Sequence, residues 1–155
     1  MIAAALVAIL LLAVDQATKA WANAQLPSGR EITIVNHWLW FRLTHNSGVT
    51  LGLFSGNNAL VGGLSLLVVV ALAVLAFRAG AGGRIGAIAL GLVAGGAISN
   101  LVDRVRLGAV TDFIEVHALP TDFNLGDAAI RLGVLVFLLS LLVTARRRPR
   151  PVSAG

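Results

Sequence analysis

Four apolar segments constrain this chain more than anything else in it: Ile2 to about Ala20, Ala59 to Phe77, Ile85 to about Leu101, and Ala128 to Ala145. A bilayer core about 30 Å thick takes about 20 largely apolar residues in helical form, and each segment has that length or nearly so. Charged residues make up only 12% of the chain and hydrophobic ones 57%, whereas soluble domains carry about 25% charge. The fold expected is an all-α membrane protein, a four-transmembrane-helix bundle. Residues 1–146 form one domain and 147–155 a basic tail. The first segment also has a signal-peptide look, since Ala22-Asn23-Ala24 resembles a cleavage site. However, no basic residues precede its apolar run, and Asp15 and Lys19 interrupt its end, so it reads as a retained span.

The charges sort by side. Arg78, Arg84, Arg146, Arg147, Arg148 and Arg150 fall in the short second connection and the tail, where no acid occurs. The positive-inside rule therefore places both of those in the cytoplasm, and an even number of spans puts both termini there. All seven acids share the other side with Lys19, Arg30, Arg42, Arg104 and Arg106. This topology accounts for the net charge of +5 better than nucleic-acid binding does. With no cysteine in the chain, thiol chemistry and cysteine-based zinc sites are excluded.

The connection from Trp21 to Asn58 is long. Within it, "EITIVNHWLWFRLTH" sets Ile32, Thr33, Ile34 and Val35 before Trp38, Trp40 and Phe41. That pattern predicts one or two short strands in a small interfacial β-like subdomain, with the tryptophans at headgroup level. In the third span Gly91 and Gly95 make a small-xxx-small face that lets helix backbones approach closely.

Charge beside apolar spans needs a reason. Asp15 and Lys19 stand one helical turn apart and can pair. Asn46 follows His45 in a glycine-containing stretch without a P-loop ending, and its amide suits a peptide backbone. Asn100, Asp103 and Arg104 end the third span on one helical face, able to clamp a polar ligand or to pair among themselves. Asp112 and Asp127 lie fifteen residues apart near one membrane boundary, with Gly108, Pro120 and expected turns around them. If the segment folds back, the two carboxylates meet and share a proton, so that one activates water while the other protonates a carbonyl oxygen. Glu115 and Asp122 read as solvated loop charges between them. No serine stands in a G-x-S-x-G setting and no histidine in H-E-x-x-H. A metal held by His117 with Asp112 and Glu115 is a weaker design. Arg131, four residues after Asp127, could favour the ionised form of that aspartate and leave the shared proton on Asp112.

The stretches "DQATK" (Asp15 to Lys19), "NSGVTLGLF" (Asn46 to Phe54), "GGAISNLVDR" (Gly95 to Arg104), "VTDF" (Val110 to Phe113) and "FNLGD" (Phe123 to Asp127), in this order between the spans, resemble lipoprotein signal peptidases, also called signal peptidase II. The resemblance covers nearly the whole chain. It implies an aspartic endopeptidase of the bacterial cytoplasmic membrane, with its active site near the outer leaflet and without metal or cofactor. Its partners would be membrane lipids and prolipoproteins, cut before a diacylglyceryl-modified cysteine. The catalytic roles carry to Asp112 and Asp127, and substrate-binding or site-ordering roles to Asn46, Gly48, Asn100, Arg104 and Asn124. Asp15, Lys19 and Asp103 carry over as supporting residues. The sequence departs from the family pattern at Gly126, where alanine is usual, at Ser99, where glycine is usual, and at Thr50-Leu51. Two other readings would leave the aspartates in different roles. A small proton-coupled transporter would need acids at mid-span, and a non-catalytic interaction protein would tolerate loss of either aspartate.

Overall fold

The computed structural model describes residues 2–27, 30–47 and 83–147, and between them Gly63, Leu67, Val70, Ala71 and Val74. The second expected span, apart from those five positions, lies outside the described residues. So do Arg78, Gly48, Thr50-Leu51 and the tail from residue 148. Among the described residues three helices are long and apolar enough to cross a membrane: α1 (Ile2–Gln25), α2 (Gly83–Leu107) and α3 (Leu125–Arg147). A three-stranded antiparallel sheet, β1 (Glu31–Val35), β2 (Leu39–Asn46) and β3 (Val110–Val116), joins them in the order β1-β2-β3.

The middle helix α2 packs against both α1 and α3, and glycine makes that closeness possible. A Cβ on Gly91 would lie 2.6 Å from the carbonyl oxygen of Ala4, and one on Gly95 2.6 Å from that of Ala8. The small-residue face thus meets the backbone of α1 directly. On the opposite side of α2, Gly96 approaches the carbonyl of Gly126 on α3. The faces turned outward carry exposed Leu6, Ile9, Leu10, Leu135, Leu138 and Leu142, the surface expected where lipid is the solvent.

Each helix outruns the apolar run that announced it, because the polar residues at its end find partners. α1 continues past Ala20 to Gln25. α2 runs on through Asp103 and Arg104 to Leu107 and stops at Gly108, whose positive φ of 74° supplies the left-handed cap while its N–H donates to the carbonyl of Arg104. α3 starts three residues earlier than its apolar run, because the Asn124 side chain accepts the N–H of Asp127 at 2.9 Å and caps the helix.

The expected strands are β1 and β2, which form a hairpin turning at His37, whose φ is 63°. β3 was expected to be loop and is a strand. Its β-branched residues Val110, Thr111, Ile114 and Val116 favour that state, but Asp112 and Glu115 break the apolar alternation that would have announced it. The chain then returns over 117–124, and Phe123 pairs with Ile114 through both backbone groups, at 2.9 and 3.0 Å. The sheet seats on the end of α1, where Trp21 meets Phe41 and Phe113 edge-on at 5.7 and 6.3 Å between centroids, over buried Ala22 and Leu26. The ends of α1 and α2, the start of α3 and the sheet therefore all gather at one end of the bundle.

Candidate active site

The pair expected from the first motif is present but is part of something larger. Lys19 Nζ lies 2.7 Å from Asp15, 3.2 Å from Asp103 and 2.7 Å from the side-chain oxygen of Asn100. An ammonium has three N–H groups, and here each has an acceptor. All four side chains are buried. Asp15 in turn accepts Ser99 Oγ at 2.6 Å and the Gly126 N–H at 2.7 Å, which ties α1 to α2 and to the first turn of α3. Asp103 accepts the Thr111 N–H at 3.0 Å and Gln16 Nε2 at 2.8 Å, fixing the entry to β3.

The two aspartates that the sequence singles out lie at the edge of this cluster, one on β3 and one in the first turn of α3. Asn124, fully buried, touches both: its Nδ2 donates to Asp112 Oδ1 at 2.7 Å, and its Oδ1 accepts the Asp127 N–H. Asn46 Nδ2 donates to the other oxygen of Asp112 at 3.2 Å. Asn100 Nδ2 donates to Asp127 Oδ1 at 2.8 Å. Because Asn100 gives its oxygen to Lys19, only its amino group can face Asp127. The Asp112 carboxyl is pushed up to about 7, first by burial and then by the nearby Asp127 charge, against the lowering effect of Asn46, Asn124 and Lys19. Arg104 lies within electrostatic range of Asp127, Asp112 and Asp103.

Asp112 and Asn46 open onto a cleft of about 340 Å³, lined also by Arg42, Thr44, His45, Glu115, Pro120 and Asp122. That is the size of a small ligand site. Arg42 and Asp122 were not among the site residues read from the sequence, and Asp122 was expected to be a solvated loop charge. Its side chain is instead only 10% exposed and takes a forked pair from Arg42 Nη2 and Nε at 3.0 and 3.3 Å. That bond, with Glu115 and Glu31 beyond it, raises Arg42 above the usual arginine value. Only the pattern of one arginine on a strand facing a return loop with an acid hinted at this, and it needed β3 in place to be seen.

The Arg131 guanidinium sits over the Phe123 ring, 5.3 Å from its centroid, and still lies within electrostatic range of Asp127. The His117 ring lies 6.2 Å from that of Trp38 and 6.4 Å from that of Trp40, and among the described residues no group of three His, Asp or Glu side chains could hold a metal ion.

A family profile described as Signal peptidase (SPase) II matches residues 7–143. The chain belongs to the signal peptidase II family. A lipoprotein signal peptidase of Methylorubrum extorquens (strain PA1) is 40% identical over 93% of this chain and 88% of its own length. One of Gloeobacter violaceus is 37% identical over 94% and 85%. A solved bacterial membrane enzyme superposes with a TM-score of 0.84 at 25% identity, covering 97% of this chain and 94% of its own. The protein is thus a membrane peptidase of the signal peptidase II family. The two departures Ser99 and Gly126 turn out to be neighbours. A Cβ on Gly126 would lie 3.1 Å from Asp15 Oδ2, the oxygen Ser99 holds, and 3.0 Å from Asn124 Oδ1.

Two outcomes follow from these contacts. Lys19→Met leaves Asp15 and Asp103 buried without their cation, and unfolding in detergent is expected to show a loss of about 3–5 kcal/mol. Gly126→Ala alone crowds Asp15 and Asn124 and is expected to cost about 1–3 kcal/mol. Adding Ser99→Gly frees Asp15 to yield, so the double variant should recover about 1 kcal/mol relative to the sum of the single changes in a double-mutant cycle.

Proposed function

We propose that this signal peptidase II homologue removes signal peptides from prolipoproteins by aspartic catalysis, with Asp112 and Asp127 as the dyad. One observation carries the reading: Asn124 donates to the Asp112 carboxyl and accepts the backbone N–H of Asp127, which links the two aspartates through one buried amide beside a cleft that Asp112 lines. Asp112, which keeps a proton to near neutrality, donates it to the scissile carbonyl oxygen. Asp127, with its Oδ1 accepting from Asn100, takes a proton from the attacking water. The tetrahedral gem-diol then collapses: the C–N bond breaks, Asp127 gives the water-derived proton to the leaving amine, and a hydroxyl proton returns to Asp112. Asn46, whose side chain lines the cleft, binds the substrate backbone, the role that the resemblance also gives to Gly48, while Asn100, Arg104 and Asn124 order the acids. Asp15, Lys19 and Asp103 support them.

The wider reading has four spans in one domain, residues 1–146, with both termini and the basic 147–155 tail in the cytoplasm. The sheet then lies at the outer leaflet. The arginines near the cytoplasmic ends favour it, as do the exposed Trp38 and apolar β1 side chains on the sheet. At that depth the acyl chains of a diacylglyceryl-cysteine stay in lipid while the bond before it reaches the acids.

With a lipidated preprotein in detergent, Asp112→Asn and Asp127→Asn are each expected to lower kcat/KM about 10³-fold or more with the fold retained. Full activity in either would remove the dyad. For the parent, the acid must be protonated, and its proton is lost as pH rises through about 7. A pH-rate profile of kcat/KM should therefore fall on that alkaline side, and a profile flat from pH 6 to 9 would contradict the assignment of Asp112 as the acid.

A further inference from the structure

Asn124 can bridge the dyad only while the return loop 117–124 stays in place, and the tip of that loop is exposed at His117, Ala118, Leu119 and Pro120. Its backbone is stitched to β3 by the Phe123 and Ile114 pair. Its second anchor is a side chain. Asp122 Oδ1 receives Arg42 Nη2 at 3.0 Å, and Oδ2 receives Arg42 Nε at 3.3 Å and Thr44 Oγ1 at 3.1 Å. Thr44 is also the residue paired across the sheet with Asp112. The clip therefore joins the loop, two residues before Asn124, to the strand position facing the acid that Asn124 holds.

We propose that Asp122 is a positioning residue of the reaction: clipped by Arg42 and Thr44, it fixes the return loop so that Asn124 stands between Asp112 and Asp127. The inference rests on the dyad reading and adds to it. A forked arginine–carboxylate pair sets direction as well as distance, and a displacement of about 1 Å at a catalytic group can cost about 10²-fold in rate. Global stability depends little on the clip. Without Asp122, Arg42 keeps Glu31 at 3.2 Å and Glu115 at 3.3 Å, so no charge is stranded, and the Arg42 side chain, 37% exposed, stays in reach of solvent.

The test is steady-state processing of a lipidated preprotein by the full chain in detergent, with the thermal midpoint followed alongside. Asp122→Ala is expected to lower kcat at least about tenfold while KM stays within about twofold and the midpoint shifts by only a few degrees. Asp122→Asn, which keeps an acceptor for Arg42 or Thr44, should recover at least about a third of the parent kcat. The proposal is overturned by a parent-like kcat in Asp122→Ala, by a loss confined to KM, or by an Asp122→Asn variant as slow as the alanine one. If Asp122→Ala does not fold, Thr44→Val takes its place. It removes one hydroxyl at nearly constant volume, and a kcat lowered about twofold to fivefold at unchanged KM supports the clip, while a parent-like kcat overturns it. Asp112→Asn in the same assay separates the two readings. Activity there refutes the dyad itself, whereas an inactive Asp112→Asn beside a fully active Asp122→Ala refutes only the clip.

Discussion

One buried ammonium organises the end of the bundle on which everything else is built. Lys19 Nζ has three protons and three acceptors, Asp15 on its own helix and Asp103 and Asn100 on α2. A buried cation missing any of them would cost several kcal/mol, so the three are held together strongly. Each acceptor then passes the constraint on. Asp15 takes the Gly126 N–H of α3, Asp103 takes the Thr111 N–H of β3, and Asn100 reaches Asp127. A single charge thereby sets the mutual placement of three helices and one strand.

Two asparagines convert that placement into orientation. An amide can point either end at a neighbour, and in each case the neighbours leave one choice. Asn100 must give its oxygen to the Lys19 cation, and Asn124 must give its oxygen to the Asp127 N–H that it caps. Their amino groups are then directed at Asp127 and Asp112. Turning either amide over would break all of its bonds at once, a large penalty at a buried site. The helices must also approach closely for such short side chains to span them, and Gly91, Gly95 and Gly96 make room for that approach.

How much of this is legible from residues alone follows from the range of each signal. Three described helices are legible because apolar runs of membrane length have few other solutions, and the acids at one end are legible because charge there is rare. The Asp15 and Lys19 pair is legible as a local i,i+4 contact, but its junction with Asp103 and Asn100 crosses 81 or more residues of chain and leaves no local mark. β3 escaped because Asp112 puts a carboxylate in the middle of the strand, which spoils the alternation by which strands are recognised. Asp122 escaped for a related reason. Its partner Arg42 lies 80 residues earlier, and an acid after a proline and a threonine reads as an ordinary turn.

Asp112 stands between two contrasting surroundings. Its backbone lies in a buried strand, flanked by Thr111 and Phe113, while its side chain reaches the wall of the cleft. Three kinds of neighbour act on it: the low-polarity packing and Asp127 oppose its ionisation, and the two amides with Lys19 favour it. Were burial alone at work, the group would be an inert acid; were the donors alone at work, an ordinary carboxylate. The balance at about 7 leaves a group that exchanges its proton near neutral pH, the property an acid-base pair requires. That balance depends on Asn124 staying within bonding distance. The return loop that carries Asn124, and whatever fixes that loop, is therefore part of the electrostatics of the site as well as of its shape.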